Sequence, residues 1–256
     1  MLGPSRISAV APVALCLGVL LASGESIAQP LIVLDPGHGG EKTGAKNADE
    51  TTESSIVLSI GKLLKAELEK NGMRVMLTRE HEVHPALSAR AKMANQVEAD
   101  AFVSLHANWS PVPARRGAET YILSADASDE EAAALLELEE DGEAGSDEEA
   151  MSDDPGGDVE AILSDLRRAD AHRESARLAR TIQDELATVG SLAPSRGLRQ
   201  APFLVLRRAR VPAVLVELGY LSHVDQGRAL AEKDTQKQAA RALARALVRY
   251  VRTRRG

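Results

Sequence analysis

Cysteine is nearly absent from this 256-residue sequence, and its absence narrows the chemistry open to the folded protein. The single cysteine, Cys16, lies in an apolar stretch near the amino terminus. The rest of the chain can form no internal disulfide and can offer neither a thiol nucleophile nor a thiolate metal ligand. Histidine imidazoles and carboxylates are therefore the ligands available for any metal site in it.

The first 28 residues have the features of a secretory signal peptide. A weakly basic start precedes an apolar stretch over residues 9–22, and Ser26-Ile27-Ala28 offers small residues at the usual cleavage spacing. The stretch is short for a membrane span, and the residues before Cys16 do not resemble a lipoprotein acceptor site, so no membrane anchor is expected. We predict secretion and one large domain over residues 29–256.

Lysine and arginine are missing between Asp126 and Glu160, where the sequence carries 16 acidic residues. The formal net charge is −7, yet the residues outside this segment hold 31 Lys and Arg against 22 Asp and Glu. An acidic insert, residues 124–158, thus interrupts an otherwise basic chain. A basic surface suits binding to an anionic polymer outside the cytoplasm. Residues 129–141 are rich in helix formers, whereas residues 142–158 have the composition of a disordered segment.

Strand and helix patterns alternate along the chain up to the insert. The order β-α-β-α-β favours an α/β fold with parallel strands. After the insert, Ile162 and Leu166 are expected on the buried stripe of a long helix. The predicted strands are residues 32–35, 73–78, 101–106, 118–123, 203–206 and 213–217. The predicted helices outside the insert are residues 53–70, 85–96, 162–186 and 235–251.

Four side chains from distant parts of the sequence are expected to meet at one edge of this sheet. His38 and His106 follow parallel strands, Glu53 begins a helix that starts at the same edge, and Glu217 ends another strand. Two histidines and one carboxylate make a catalytic zinc site with an open position for water. The remaining carboxylate can serve as general base.

Each of these residues alone has an ordinary explanation, and only their joint placement favours a metal hydrolase. A histidine after a strand is usually a loop residue, and a glutamate in a first helical turn usually serves the helix dipole. Arg79 and Arg90 are interpreted as structural or substrate-positioning residues. Four further histidines follow no apolar strand and are interpreted as solvated: His81, His84, His172 and His223.

The sequences around the four residues resemble the zinc-dependent N-acetylmuramoyl-L-alanine amidases, which cut cell-wall peptidoglycan. The resemblance extends over residues 31–251 and implies a mostly parallel six-stranded sheet flanked by helices. It also implies zinc ligation by His38, Glu53 and His106, with Glu217 as the catalytic carboxylate. The motifs that carry it are LDPGHGG at 34–40, Glu53 before IVL at 56–58, SLHAN at 104–108 and VLVELGYLS at 214–222.

The position of the insert is also similar to a feature of this family. Periplasmic members that act at cell division carry a helix between the fourth strand and the next long helix, and it blocks the zinc site until an activator removes it. We therefore expect the insert to restrain the enzyme. Glu137 or Glu139 could occupy the open position on zinc, and the sequence does not choose between them. Leu135 and Leu138 could pack beside that carboxylate and then meet an activator.

The predicted protein is a periplasmic, monomeric zinc amidase that cleaves between N-acetylmuramic acid and L-alanine, for wall remodelling or daughter-cell separation. Its predicted partners are peptidoglycan and an activator protein, without nucleic acid. Two alternatives stay open. One is a non-catalytic peptidoglycan-binding or activator protein on the same fold, and the other is a zinc carboxypeptidase or deacetylase acting on the same polymer.

Overall fold

A computed structural model describes residues 28–140 and 158–255. The predicted signal peptide, apart from Ala28, and the predicted disordered stretch, apart from Asp158, lie outside the described residues. The strands are β1 Leu31–Pro36, β2 Arg74–Leu77, β3 Ala101–Asn108, β4 Ala118–Leu123, β5 Ser195–Ala201 and β6 Ala213–Tyr220. The helices are α1 Glu53–Lys70, α2 Leu87–Gln96, α3 Glu130–Glu140, α4 Asp158–Leu186, α5 Leu204–Arg207, α6 Val224–Ala231 and α7 Lys233–Arg255, with a 3-10 turn at Gly190–Leu192.

The described strands form one mixed sheet in the order β2-β1-β3-β6-β4-β5. Every neighbouring pair is parallel except β4 and β6, which run antiparallel. The prediction of a mostly parallel six-stranded sheet is therefore confirmed. Because β4 runs against β6, the start of β4 lies beside the carboxyl end of β6, where Glu119 is paired with Glu217. His106 on β3 is paired with Glu217 from the other side.

Helices cover both faces of the sheet, so each strand contributes side chains to two apolar layers. Ile32 and Leu34 of β1 belong to a large core with α1, α4 and α7. Val33, which points to the opposite face, belongs to a smaller core with α2, α3 and α5. Leu215, two residues before Glu217, lies in the smaller core. The period of two therefore directs Glu217 to the face that α3 covers.

Helix α1 has the predicted bounds because its ends carry stop and start signals. The Thr52 hydroxyl accepts a hydrogen bond from the Ser55 amide and caps the first turn. Asn71 and Gly72 end the helix, and Gly72 adopts a φ of 78°, which favours glycine. Glu53 is consequently fixed at the first helical position, at the edge of the sheet where β1 and β3 end.

The prediction of a strand over residues 203–206 is wrong. This segment forms the short helix α5, and Leu204, Val205 and Leu206 are all buried in it. A short apolar run fits a buried helical turn as well as a buried strand, so periodicity cannot distinguish them. The fifth strand lies just before it, at Ser195–Ala201, where the sequence SRGLRQA is too polar to resemble a buried strand.

The prediction that Ile162 and Leu166 face the core is also wrong. Both side chains are exposed, as are Val159 and Leu163, because the first turns of α4 have no apolar partner among the described residues. Helical spacing identifies one apolar face but does not identify what covers it. Within residues 28–140 and 158–255, no helix is long and apolar enough to cross a membrane.

The contrast between buried and exposed leucines gives a stability prediction. Leu64 of α1 is fully buried in the large core, so Leu64→Ala should lower the free energy of unfolding by about 2–5 kcal/mol. Leu166→Ala, the matched control on α4, should change it by less than about 0.5 kcal/mol. Urea denaturation of both variants measures this, and an equal loss in both would contradict the assignment of the α4 stripe as uncovered.

Candidate metal centre

His38 lies in a tight turn after β1 whose backbone is fixed by two buried arginines. Its φ of 56° is in the left-handed region, which is uncommon for a residue with a side chain. Arg90 Nη2 donates to the His38 carbonyl at 3.0 Å, and Arg79 Nη2 donates to the Gly37 carbonyl at 2.8 Å. Both arginines also donate to the Pro36 carbonyl. They therefore hold the turn that presents the His38 ring, in agreement with a structural or positioning role.

Asp35 connects this turn to the sheet. Its carboxylate accepts hydrogen bonds from Thr78 and from Ser104, and it forms a 3.1 Å ion pair with Arg90. Burial favours the neutral acid, but the Arg90 guanidinium and the hydroxyl donors outweigh burial and lower the pKa of Asp35. The ionised carboxylate thereby orients Arg90 toward the His38 carbonyl.

Glu53 is oriented by two backbone amides. Oε1 accepts from the Ala107 amide at 2.9 Å, and Oε2 accepts from the Ala45 amide at 3.0 Å. The Glu53 carboxylate and the His38 ring both lie close to Gly44, where a β-carbon would overlap them. Gly44 also adopts a φ of 66°, which favours glycine. Each carboxylate oxygen keeps lone pairs directed at the histidines, a common arrangement for a metal-binding carboxylate.

His106 reaches the same point from the end of β3. Its ring packs against Gly37, where a β-carbon would overlap it, and lies 4.9 Å from the His38 ring between centroids. His106 Nδ1 is 3.1 Å from Glu53 Oε1, and His38 Nε2 is 3.1 Å from Glu53 Oε2. The structure thus brings together the three residues that were expected to bind zinc.

A fourth ligand-type side chain, Glu139 of α3, completes the cluster. Its Oε2 lies 2.8 Å from His106 Nδ1 and 3.1 Å from His38 Nε2. Ligand atoms of the four residues all lie within 4.8 Å of one another. Of the two carboxylates that the sequence left open, Glu139 reaches the site, whereas the Glu137 side chain is exposed.

These residues fit a metal ion. His38 Nε2 and His106 Nδ1 are buried and have no hydrogen bond of acceptable geometry within residues 28–140 and 158–255. Unpaired buried nitrogens that converge with carboxylate oxygens are donors suited to a cation. Two imidazoles and one or two carboxylates form a ligand set that zinc accepts in tetrahedral sites.

Without a cation, the histidines themselves balance the carboxylates. Burial disfavours the charged form of His38, but Glu53 and Glu139 overcome it and raise the pKa of His38 to about 11. Burial likewise opposes the charge on His106, and Glu139 with Glu53 raises its pKa to about 9. Burial also favours neutral Glu53, yet His38 and His106 lower the pKa of that carboxyl. A bound cation competes with these protons for the same atoms.

Glu217 differs from the other carboxylates because it has no hydrogen-bond or ion-pair partner in residues 28–140 and 158–255. The side chain is fully buried, and neither carboxylate oxygen has a hydrogen-bond partner in the described part of the chain. Burial, followed by Glu139, Glu53 and Glu119, raises the pKa of Glu217 well above its usual value. An unpaired carboxyl group with a raised pKa beside a metal-ligand cluster is suited to general acid–base chemistry.

Four histidines that were interpreted as solvated lie outside the cluster. His81 and His172 are exposed, His223 caps α6 by accepting from the Gln226 amide, and His84 contacts Arg90. The sequence reading missed Glu119, which is fully buried on β4 beside Glu217. A glutamate inside an otherwise apolar strand was the signal that could have identified it.

The chain is similar in sequence to a known family and to proteins that carry its name. A family described as N-acetylmuramoyl-L-alanine amidase matches residues 32–249. AmiC of Neisseria meningitidis serogroup B is 32% identical over 233 residues, which are 90% of this chain and 55% of that protein. AmiA of Escherichia coli K12 is 32% identical over 221 residues, 86% of this chain and 75% of that protein. The chain therefore spans about half of AmiC and three quarters of AmiA.

A solved structure shares the architecture. AmiC2 of Nostoc punctiforme has a TM-score of 0.66 and 28% identity, with 87% of this chain and 97% of that chain covered. The residues matched by the family, 32–249, include His38, Glu53, His106 and Glu217. By its sequence and its fold, the chain belongs to the N-acetylmuramoyl-L-alanine amidase family.

Proposed function

We propose that the chain is a secreted zinc-dependent N-acetylmuramoyl-L-alanine amidase that α3 restrains. The observation that carries the proposal is the convergence of His38, Glu53 and His106 beside the unpaired, buried Glu217. The signal-peptide pattern of residues 1–28 supports export to the periplasm, where peptidoglycan is the substrate. A single catalytic domain over residues 29–256, with a regulatory insert at 124–158, follows from the same proposal.

The protein's own residues suit hydrolysis of an amide without a covalent intermediate. His38, Glu53 and His106 would hold zinc, which supplies Lewis acidity to polarise a carbonyl and to activate water. Glu217, three residues from the end of β6, would take the proton from the attacking water and return it to the leaving amine. Burial and the neighbouring carboxylates raise its pKa well above the usual value, which suits a group that first accepts and then donates a proton.

Helix α3 supports the proposed restraint because it fills the approach to the ligand cluster. Glu139 contacts both histidines, and Ala132 and Leu135 are buried in the smaller core. A carboxylate at this position would occupy the coordination site that catalysis needs for water. The expected helix is therefore present, and of Leu135 and Leu138 only Leu135 packs against the body, since Leu138 is exposed.

An activator could displace α3 through the exposed apolar stripe of α4. The stripe consists of Val159, Ile162, Leu163 and Leu166, at spacings of three and four residues. Apolar side chains at this spacing on one helix face suit insertion into an apolar groove of a partner. The stripe directly follows the insert in sequence, so a partner bound there would be placed to pull on α3.

The two alternatives differ in the bond that is cut. A zinc carboxypeptidase would release terminal D-alanine, and a deacetylase would release acetate, from the same polymer. A non-catalytic wall-binding protein would release nothing, although retention of Glu217 and of the three ligands favours catalysis. Digestion of purified peptidoglycan, with and without zinc, by the variant in which a short Gly-Ser loop replaces residues 124–158, followed by mass spectrometry, decides among them. Free stem peptides are the expected product, and their absence would overturn the amidase proposal.

The zinc ligands give the first prediction on function. The protein should bind one zinc ion per chain, and the double variant His38→Ala/His106→Ala should bind none, because two of three protein ligands are lost. His172→Ala, which removes an exposed histidine on α4, is the matched control and should retain stoichiometric zinc. Elemental analysis of folded protein measures the content. Stoichiometric zinc in the double variant would refute the assignment.

The proposed role of Glu217 as general base gives a second prediction on function. Glu217→Gln keeps the shape of the side chain and removes the base, so zinc should remain while wall hydrolysis falls at least about 10²-fold. Release of stem peptides and zinc content are measured on the same sample. Loss of zinc would instead make Glu217 a ligand, and full activity would exclude it as the base.

The proposed restraint by α3 gives a third prediction on function. Replacement of residues 124–158 with a short Gly-Ser loop should raise basal hydrolysis, because the carboxylate that covers the ligand cluster is removed. Glu139→Gln should raise it by about 10-fold or more, the scale of one charge-assisted interaction. Glu137→Gln on the exposed face of the same helix is the control and should leave the rate unchanged. If loop replacement leaves the rate of a folded, zinc-loaded enzyme unchanged, the insert is only a linker.

A further inference from the structure

Three arginines form a cluster on the side of the site away from β1. We propose that this arginine cluster, Arg115, Arg196 and Arg199, binds a carboxylate of the peptide portion of the substrate, and that α3 occupies it with carboxylates of its own. The proposal rests on the amidase function and extends it by naming a specificity-determining subsite. Arg196 and Arg199 lie on β5, and Arg115 lies in the segment before β4.

Buried Glu119 holds two of these arginines in place permanently. Its Oε2 lies 2.9 Å from Arg196 Nε and 2.9 Å from Arg199 Nε. Its other oxygen, Oε1, accepts hydrogen bonds of 3.0 Å from three side chains: Asn108, Tyr121 and Tyr220. None of these partners belongs to the insert, so the guanidinium groups stay oriented when α3 leaves.

Within residues 28–140 and 158–255, the other anions that contact the cluster come from the insert. Glu131 Oε1 lies 2.6 Å from Arg115 Nη2, and Glu131 Oε2 contacts the Nη2 atoms of Arg196 and Arg199. Asp129 Oδ2 lies 2.6 Å from Arg199 Nη1. One carboxylate of α3 is therefore shared by all three arginines, which is the contact that a substrate carboxylate would reproduce.

Charge balance explains why the cluster requires a ligand once α3 departs. The three arginines carry three positive charges, of which Glu119 balances one and the insert balances two. Removal of α3 leaves two unbalanced, partly exposed guanidinium groups in a fixed arrangement. Guanidinium groups bind carboxylates with two parallel hydrogen bonds, so a carboxylate is the ligand that suits them.

The distance from the metal ligands fits a short peptide. Glu131 and Glu139 are eight residues apart on α3, or roughly 12 Å at a rise of about 1.5 Å per residue. Across the sheet, His106, Glu217, Glu119 and Gly197 are successive partners, and three strand spacings of about 4.8 Å give roughly 14 Å. An extended peptide spans either length in about four residues. A stem peptide with its amide at His106 would bring a carboxylate to the cluster.

Direct binding to zinc-free protein tests the proposal without reference to catalysis. The parent is the variant in which a short Gly-Ser loop replaces residues 124–158, so that Asp129, Glu131 and Glu139 are absent and both sites are uncovered. Calorimetry compares a four-residue stem peptide that has free carboxylates with the same peptide fully amidated. The free acid should bind about 10-fold or more tightly, the scale of charged hydrogen bonds.

Arginine variants in that parent assign the difference to the cluster. Arg199→Gln and Arg115→Gln should each remove most of the preference for the free acid, and Arg199→Lys should retain part of it. Arg115 contacts Glu131 and the Ser110 hydroxyl, so its substitution leaves the Glu119 network intact if Arg199→Gln fails to fold. Arg116→Gln, an adjacent exposed arginine, is the matched control and should keep the full preference.

Three results would overturn the subsite: equal affinity for both peptides, no binding of either, or a preference that survives both arginine substitutions. Failure of the amidase proposal is separate, because it appears as a lack of free stem peptides in the wall digest whatever calorimetry shows.

Discussion

Burial of carboxylates at one edge of the sheet is the constraint on which the rest of the site depends. Five carboxylic acids lie there with little or no exposure: Asp35, Glu53, Glu119, Glu139 and Glu217. A buried negative charge is tolerated only with a compensating partner. Arg90 compensates Asp35, the β5 arginines compensate Glu119, and the histidines compensate Glu53 and Glu139. Glu217 alone has none among the residues that the structure describes, which is why its proton affinity is available for chemistry.

The sequence predicted those parts of the fold whose signals are local. The strand before His38 and helix α1 from Glu53 to Lys70 follow from apolar periodicity and caps, and the parallel α/β class follows from the alternation of strands and helices; all are confirmed. Convergence of His38, Glu53 and His106 followed from topology, since parallel strands end at one edge. In the structure, one nitrogen of each histidine lies 3.1 Å from a Glu53 carboxylate oxygen. The sequence pattern predicts that the side chains meet but not these distances.

The predictions from sequence were wrong where contacts between distant residues determine the local structure. Among the described strands, polar β5 pairs only with β4, so pairing with a neighbour rather than its own composition makes it a strand. Residues 203–206 satisfied a strand pattern but fold as α5 in the smaller core. The α4 stripe has the spacing of a buried helix face, but no described residue covers it. The orientation of α3 about its own axis decides whether Glu137 or Glu139 faces the histidines. Burial of Leu135 and the contacts of arginines with Glu131 fix that orientation, and neither can be inferred from helical spacing.

Helix α3 follows β4 after only residues 124–129, and this short connection has a consequence for the proposed restraint. A ligand attached to its receptor by a short chain experiences an effective concentration on the order of millimolar, whatever the concentration of protein. Occupation of the ligand cluster by Glu139 is thus an intramolecular equilibrium that dilution cannot shift. A soluble wall fragment would have to compete with that local concentration, whereas a protein that binds elsewhere and strains the connection would not.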